Sequence, residues 1–453
     1  MAKNPIPETG LYDARTLGAP RMLVLGIQHM FAMFGATVLV PVLTGLSVSS
    51  TLLFAGLGTL LFHLLAKGKV PAFLGSSFAF IGGYQAIAGV GENLDTSLLP
   101  YACFGVACAG LLYVVLAALF KVFGTKKVMR FFPPIVTGPV IICIGLTLSS
   151  TAIDSCRTNW WIALVAILVV ILCNIFGKGM IKMIPLLLGV VASYAVAAVT
   201  GNVDFTAVKD AAWIGLPFQG KDTVFGLFGR TDLDTSLLIT SAITIMPLAL
   251  ATMVEHIGDI CAISSTCERN YLEEPGLHRT LLGDGLATTL ASLFGAPANT
   301  TYGENTGVLA LSKVYDPRVI RIAAYFAIVF SFCPKFSALI SAMPAATIGG
   351  ISMILYGMIS AVGVRNVVEN KVDFTKSRNV IIAALILVLA IGIKYSGGGA
   401  ISFAIGSVTI SLSGLAVAAI VGIVLNAVLP GKDYEFGTDQ QGDTAVNFHV
   451  GKK

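Results

Sequence analysis

Long apolar stretches recur from residue 21 to residue 429, and they constrain the fold more than any other feature of the chain. Two of them read MLVLGIQHMFAMFGATVLVPVL (22–43) and VIIAALILVLAIGI (380–393). Hydrophobic residues make up 56% of the chain and charged residues 12%, whereas soluble proteins have about 45–50% and about 25%. We therefore expect lipid to surround most of this chain, as in an all-α polytopic membrane protein.

The apolar stretches divide into fourteen segments, several of them shorter than the roughly 20 residues that a straight helix needs to cross a bilayer. They lie at about 21–43, 51–66, 72–90, 98–122, 133–152, 159–176, 183–200, 235–262, 279–295, 298–313, 318–335, 344–362, 378–395 and 400–429. With a cytoplasmic N-terminus, 23 of the 29 Lys and Arg residues fall on the cytoplasmic side. This asymmetry predicts a multi-pass membrane protein with both tails (1–20 and 430–453) in the cytoplasm.

A polar connection at 201–234 separates seven segments from seven more, which predicts a 7+7 inverted repeat. The two halves share weak echoes at matched places. Gln28-His29 in segment 1 corresponds to Glu255-His256 in segment 8, and GSSF (75–78) corresponds to NTTYGEN (299–305). The inverted repeat is typical of secondary transporters, and the connection is expected to be extracellular.

Segments 3 and 10 open with Pro, Gly and hydroxyl residues, in VPAFLGSSFAF (70–80) and GAPANTTYGENTG (295–307). Paired, interrupted segments at corresponding places in two halves indicate a binding site at the midplane of a transporter. We expect 72–78 and 298–302 to be short β-strands that pair with each other. Half-helices should follow, with N-termini that direct backbone N–H groups at a ligand. Ordinary re-entrant loops are the alternative.

The acidic residues Glu255, Asp259 and Glu304 fall inside apolar segments, and Glu255 and Asp259 share one helix face. An acid at membrane depth is costly, so it is by default a functional hypothesis. Burial disfavours the ionised form, so these acids can take up a proton, as coupled transport requires. A structural role, bonded to backbone or hydroxyl groups, is the alternative. His29 could relay protons or simply be hydrogen-bonded within its helix.

The sequence favours neither an enzyme nor a metal or nucleotide site. Its eight cysteines include no C-x-x-C pair, and no G-x-x-x-x-G-K-[ST] motif occurs. We expect no metal and no cofactor. The net charge of +5 is explained by membrane topology rather than by a nucleic-acid partner.

The motifs QHMFAMFGATVLVPVL (28–43), GKVPAFLGSSFAF (68–80), VEHIGD (254–259) and NTTYGENTGV (299–308) resemble those of the nucleobase–ascorbate transporter family. The family signature in segment 10 matches Glu304-Asn305-Thr306-Gly307, followed by Ser312-Lys313. Glu rather than Gln in its first position resembles the uracil permease branch more than the xanthine and urate branch. The resemblance covers nearly the whole membrane region.

The resemblance implies a core domain (21–122 and 235–335) that moves against a gate domain (133–200 and 344–429). It implies proton-coupled symport of uracil across the plasma membrane of a bacterium, and a possible homodimer through the gate domains. It also implies base-binding roles for Glu255, Glu304, Phe78 and Gly303. We further expect Tyr302 and Ala36 in the substrate site, Tyr356 in the gate, and Glu255, Asp259, Glu304 and His29 in proton coupling.

One departure affects the coupling prediction. Some of the uracil permeases that the chain resembles have a histidine one turn after the segment 8 glutamate, where this chain has Asp259. Other family members carry an acid at that place. Asp259 could relay protons or merely orient Glu255. A purine permease of the same family and, from another class, an anion exchanger of the same architecture are the alternative functions; a channel or a membrane enzyme is disfavoured.

Overall fold

The computed structural model describes residues 10–89, 93–229, 233–405, 408–432 and 434. Eleven α-helices lie among the described residues before residue 230. They are α1 (Ala19–Thr44), α2 (Val48–Leu65), α3 (Ile81–Ala88), α4 (Leu99–Phe123), α5 (Thr125–Met129), α6 (Pro134–Arg157), α7 (Trp160–Phe176), α8 (Met180–Met183), α9 (Pro185–Val199), α10 (Thr206–Asp210) and α11 (Val224–Leu227). Proline commonly starts these helices, because its missing N–H falls where no intrahelical partner exists.

The second half contains nine helices among the described residues. They are α12 (Thr235–Ile245), α13 (Leu248–Thr266), α14 (Leu277–Leu293), α15 (Gly303–Ser312), α16 (Pro317–Ser331), α17 (Pro334–Ser341), α18 (Ala345–Glu369), α19 (Ser377–Tyr395) and α20 (Gly414–Val428). Predicted segment 8 is therefore two helices, separated at Met246-Pro247. Predicted segment 11 extends into a second helix, α17, after a bend of 90°.

Among the described residues, seven helical spans are long and apolar enough to cross a membrane, with α12 and α13 counted as one span. The count is eight if the bent pair α16–α17 is also one crossing. Shorter apolar helices, α7, α9 and α20, occupy three more of the predicted segments. The chain is thus a multi-pass, mostly helical membrane protein. The count of fourteen crossings stays a prediction.

Two short strands lie inside the segments where the sequence predicts extended chain. β1 (Leu74–Ser76) pairs antiparallel with β2 (Asn299–Thr301), with Gly75 opposite Thr300. Each strand is buried and is followed by a short helix, α3 or α15. The backbone groups of these strands satisfy each other, which permits non-helical chain away from water.

A second strand pair was not predicted. The apolar segment at 400–429 begins instead as a hairpin of β3 (Ala400–Ile405) and β4 (Val408–Ser413), and its helix, α20, starts only at Gly414. The fold class therefore needs four strands among the described residues, not two. Alternation of apolar and hydroxyl residues in VTISLS favours a strand with two different faces, and overall apolarity masks this pattern.

The helices pack mainly in two groups. α1, α2, α4, α12, α14 and α16 contact one another, and so do α6, α7, α9, α18, α19 and α20. α13 contacts both groups, against α4 and α14 on one side and α6 and α20 on the other. The acidic residues of α13 therefore lie where the two groups meet.

Candidate functional site

A cavity of about 300 Å³ lies beside the crossing of β1 and β2. Its walls come from Phe78 after β1, from α13, from β2 with the start of α15, and from α18. The α18 wall ends at Arg365 and Glu369, on the predicted cytoplasmic side. These elements belong to distant parts of the chain, so the cavity forms only in the folded protein.

The α13 wall presents two carboxylates. Glu255 and Asp259 are one helical turn apart, both half-buried, and both line the cavity. Gly258 lies between them, and a Cβ atom there would have no neighbour closer than Ile141 at 4.0 Å. The missing side chain leaves open space beside the two acids, where a small flat molecule can approach them.

The opposite part of the site is the start of α15. Tyr302 is in extended conformation and Gly303 is the first helical residue, so the N–H groups of the first turn have no partner within the helix. A Cβ atom on Gly303 would lie 3.8 Å from Oδ1 of Asp259. Glu304 is the second residue of this helix; its side chain lies outside the described part of the structure. The site thus pairs acidic acceptors with backbone donors.

Side-chain hydrogen bonds fix the crossing of the strands. The Tyr302 hydroxyl donates to the carbonyl of Ser76 (2.9 Å), and its amide donates to the carbonyl of Phe73 (3.1 Å). Thr59 of α2 donates to the carbonyl of Leu74 (3.3 Å) and accepts from its amide (2.9 Å). These bonds hold β1 and β2 to the surrounding helices and so fix where α15 begins.

A buried polar network extends from the cavity into the protein. Thr301 Oγ1 donates to Oδ2 of Asp259 (2.9 Å) and lies 3.5 Å from Nδ1 of His256. The same nitrogen of His256 lies 3.1 Å from Oδ2 of Asp284. His256 and Asp284 are fully buried. The network joins α13, β2 and α14 behind the carboxylates that line the cavity.

Phe78 lines this cavity and also a second one of about 340 Å³. The second cavity is lined by α3, α12, Lys394 and the β3–β4 hairpin. Phe78 contacts Tyr356 of α18 edge to face, with ring centroids 5.8 Å apart. This aromatic pair joins the segment after β1 to α18. The gate role of Tyr356 stays a prediction.

Besides Tyr356, which contacts Phe78, two predicted residues with described side chains do not line the cavity. His29 is fully buried, where Nδ2 of Asn305 lies 3.1 Å from its Nδ1 and donates to its carbonyl at 3.3 Å. Ala36 is buried in an apolar cluster with Phe78, Tyr302 and Tyr356. Both therefore pack behind the cavity wall, next to groups that line it or start α15. A direct role in proton transfer or substrate contact stays a prediction for each.

Sequence reasoning missed Gly258, Thr301 and Asp284. Asp284 stands in LLGDGLAT, an apolar segment with a single acid. The rule that flagged Glu255 applies to it equally, because an ionisable residue at membrane depth is a functional hypothesis. Thr301 and Gly258 carry no comparable signal, since hydroxyl residues and glycines are common in this chain.

Comparison with known proteins gives the same assignment as the motifs. A model of a permease family matches residues 20–397. The uracil permease of Bacillus subtilis (strain 168) is 39% identical over 440 residues, covering 94% of this chain and 95% of the relative. The uracil permease of Bacillus caldolyticus is 40% identical over 435 residues, covering 94% of this chain and 95% of the relative.

Solved structures share the fold at low identity. SLC26A9 matches 92% of this chain and 66% of its own with a TM-score of 0.64 at 11% identity. The transmembrane domain of the cyanobacterial bicarbonate transporter BicA matches 92% of this chain and 98% of its own, with a TM-score of 0.54 at 14% identity. The family model and the relatives cover far more than half of the chain. This chain belongs to the nucleobase–ascorbate transporter family, as a membrane permease and not an enzyme.

Proposed function

We propose that this protein imports uracil across the plasma membrane together with protons, by alternating access. The observation that carries the proposal is the cavity at the strand crossing, where Glu255 and Asp259 of α13 lie opposite the N-terminus of α15. The names of its relatives, uracil permeases, support the substrate class.

The hydrogen-bonding groups of uracil fit this arrangement. Uracil has two ring N–H donors, which carboxylates accept, and two carbonyl acceptors, which backbone amides serve. We assign the donor contacts to Glu255 and Glu304 and the acceptor contacts to the amides of Gly303 and Phe78. The ring of Phe78 offers an apolar surface for the flat base. Such a site would reject molecules that leave its acidic groups without donors.

Protons are the proposed energy source, because a neutral base carries no charge that could drive its own uptake. Glu255 and Asp259 lie at the boundary between the two helix groups, and each can hold a proton. We propose that Glu255 takes up the coupled proton. Asp259, which accepts a hydrogen bond from Thr301, would orient the Glu255 side chain.

Alternating access would follow from displacement of the core domain (21–122 and 235–335) against the gate domain (133–200 and 344–429). The cavity that holds Glu255 extends to Arg365, on the predicted cytoplasmic side, while the contact of Phe78 with Tyr356 closes it toward the second cavity. The structure would then correspond to an inward-facing arrangement. Opening toward the outside would require Phe78 and Tyr356 to separate.

Two rival functions are testable on the same preparation. A purine permease of the same family would bind xanthine or urate in this cavity. An anion exchanger is a rival because the protein shares its fold with an anion transporter and a bicarbonate transporter. The two acids lining the cavity beside Gly303 disfavour an anion, since like charges repel at short range.

The proposed function predicts saturable uptake of labelled uracil into proteoliposomes with an inwardly directed proton gradient. Unlabelled uracil should compete, xanthine and bicarbonate should not, and a protonophore should abolish accumulation because the driving force is the proton gradient. Competition by xanthine alone would transfer the assignment to purines. Uptake that never saturates and ignores the protonophore would indicate a channel.

Replacing Thr301 with valine is expected to weaken uracil binding by roughly tenfold, because a hydrogen bond to a charged group contributes about 1.5–3 kcal/mol. The valine keeps the shape of threonine and removes only the hydroxyl that donates to Asp259. Thr289→Val is the control, since that hydroxyl donates to backbone carbonyls away from the cavity. Equal affinity in both variants, measured by equilibrium binding, would exclude a role for the network in binding.

A further inference from the structure

The N-terminal clasp, residues 10–18, lies along the segment that joins α15 to α16. The amide of Leu11 donates to the carbonyl of Lys313 (2.8 Å), and the amide of Tyr315 donates to the carbonyl of Leu11 (2.7 Å). Leu11 and Val314 thus form a parallel β-bridge. Gly10 fits against the ring of Tyr315 so closely that a Cβ atom would lie 2.1 Å from a ring carbon. Backbone and side-chain contacts therefore hold the clasp against residues 313–315.

Tyr12 connects the clasp to the end of α13. Its hydroxyl donates to the carbonyl of Cys267 (2.6 Å), the residue that caps that helix. The guanidinium carbon of Arg269 lies 3.7 Å from the centroid of its ring, and the ring of Tyr315 lies 5.4 Å away on centroids. One side chain therefore contacts the C-cap of α13 and Tyr315, which lies three residues past the end of α15.

Charged groups reinforce the same junction. The amide of Ala14 donates to Oδ2 of Asp316 (2.8 Å), and Arg318 donates to Asp13 (3.2 Å) and Asp316 (3.0 Å). A hydrogen bond from Arg15 lowers the pKa of Asp13 to about 2, so that its carboxylate is charged at physiological pH. The clasp is held on three sides: by α13, by the α15–α16 connection and by Arg318.

The two helices that the clasp joins carry opposite halves of the cavity. Asp259 precedes the α13 cap at Cys267 by eight residues, and Gly303 starts α15, which ends at Ser312. At 1.5 Å per residue, each helix is a lever roughly 12–15 Å long between the clasp and the cavity. A small change of angle at the clasp would therefore shift the Asp259 carboxylate relative to the Gly303 amide by about an ångström.

We propose that the N-terminal clasp sets the spacing of α13 and α15 and so holds Asp259 and the first turn of α15 at the separation that substrate binding requires. Tyr12 acts as a positioning residue, about one helix length away from the substrate. The inference deepens the proposed function, because the ligand whose affinity the clasp controls is uracil.

The test compares Tyr12→Ala, Tyr12→Phe and wild type as purified full-length protein. Tyr12→Ala removes the hydroxyl bond and both ring contacts, so uracil should bind roughly tenfold more weakly. Tyr12→Phe keeps the ring contacts and should restore most of the affinity. Tyr325→Ala is the matched control, because that tyrosine of α16 is 54% exposed. Hydrogen exchange of residues 303–312 should quicken in Tyr12→Ala and not in the control.

Each outcome decides the proposal. Wild-type affinity or unchanged exchange of 303–312 in folded Tyr12→Ala overturns it, as does equal loss of affinity in Tyr325→Ala. Should Tyr12→Ala not fold, Asp13→Asn, which weakens the contact with Arg318, is judged by the same two measurements. Absence of uracil binding in wild type would refute the proposed function, whereas the exchange measurement would still test the clasp.

Discussion

Replacing Glu255 with glutamine is expected to abolish gradient-driven accumulation of uracil and leave a folded protein. Glutamine keeps the length and the carbonyl acceptor of glutamate, but its side-chain amide does not take up or release a proton near neutral pH. Glu255 lines the cavity from the middle of α13, where the two helix groups meet. Loss of a charged acceptor should also weaken equilibrium binding by roughly ten- to a hundredfold.

The measurement separates coupling from binding. Accumulation is followed in proteoliposomes with an imposed pH gradient, and substrate exchange is followed without a gradient at saturating uracil. Glu255→Gln should retain some exchange and lose accumulation. Glu273→Gln is the control, because Glu273 is exposed in the turn before α14. If accumulation persists in Glu255→Gln, another group must bind the coupled proton, and Asp259 is the first candidate.

The discontinuous segments were the most predictable part of the site. Pro71, Gly75 and the hydroxyl residues beside them interrupt an apolar run, and 295–307 repeats this composition in the second half. Lipid cannot satisfy exposed backbone groups, so such runs must be buried against protein and bonded to it. Composition therefore predicts the segments that contain β1 and β2. The spacing of four residues predicts that Glu255 and Asp259 share one helix face.

The rest depends on contacts between residues far apart in the chain. The sequence does not reveal that His256 lies 3.1 Å from Asp284, or that Tyr12 contacts the end of α13. The β3–β4 hairpin is a different case, since its alternating pattern is local. It was overlooked because an apolar strand and an apolar helix differ in period and not in composition.

Substituting alanine for Gly75 is expected to abolish uracil binding and to destabilise the protein, by about 1–3 kcal/mol for overpacking of this kind. A Cβ atom at Gly75 would lie 2.4 Å from two ring carbons of Tyr302 and 2.7 Å from Oγ1 of Thr37. Neither neighbour can yield freely. Tyr302 is bonded to the carbonyl of Ser76, and Thr37 to the carbonyl of Met33. Relief of the clash would therefore displace β2 and, with it, the first turn of α15.

Gly82→Ala is the matched control, because a Cβ atom there has no neighbour within 4 Å although Gly82 follows the same strand. Thermal unfolding and equilibrium binding of uracil are measured on both variants. Gly75→Ala should lose binding even at temperatures where it remains folded, since the displaced group is the α15 start and not the bulk of the core. Binding at wild-type affinity would mean that the strand crossing tolerates displacement. The amide of Gly303 could then not be a fixed contact for the base, and recognition would have to depend on the side chains of α13.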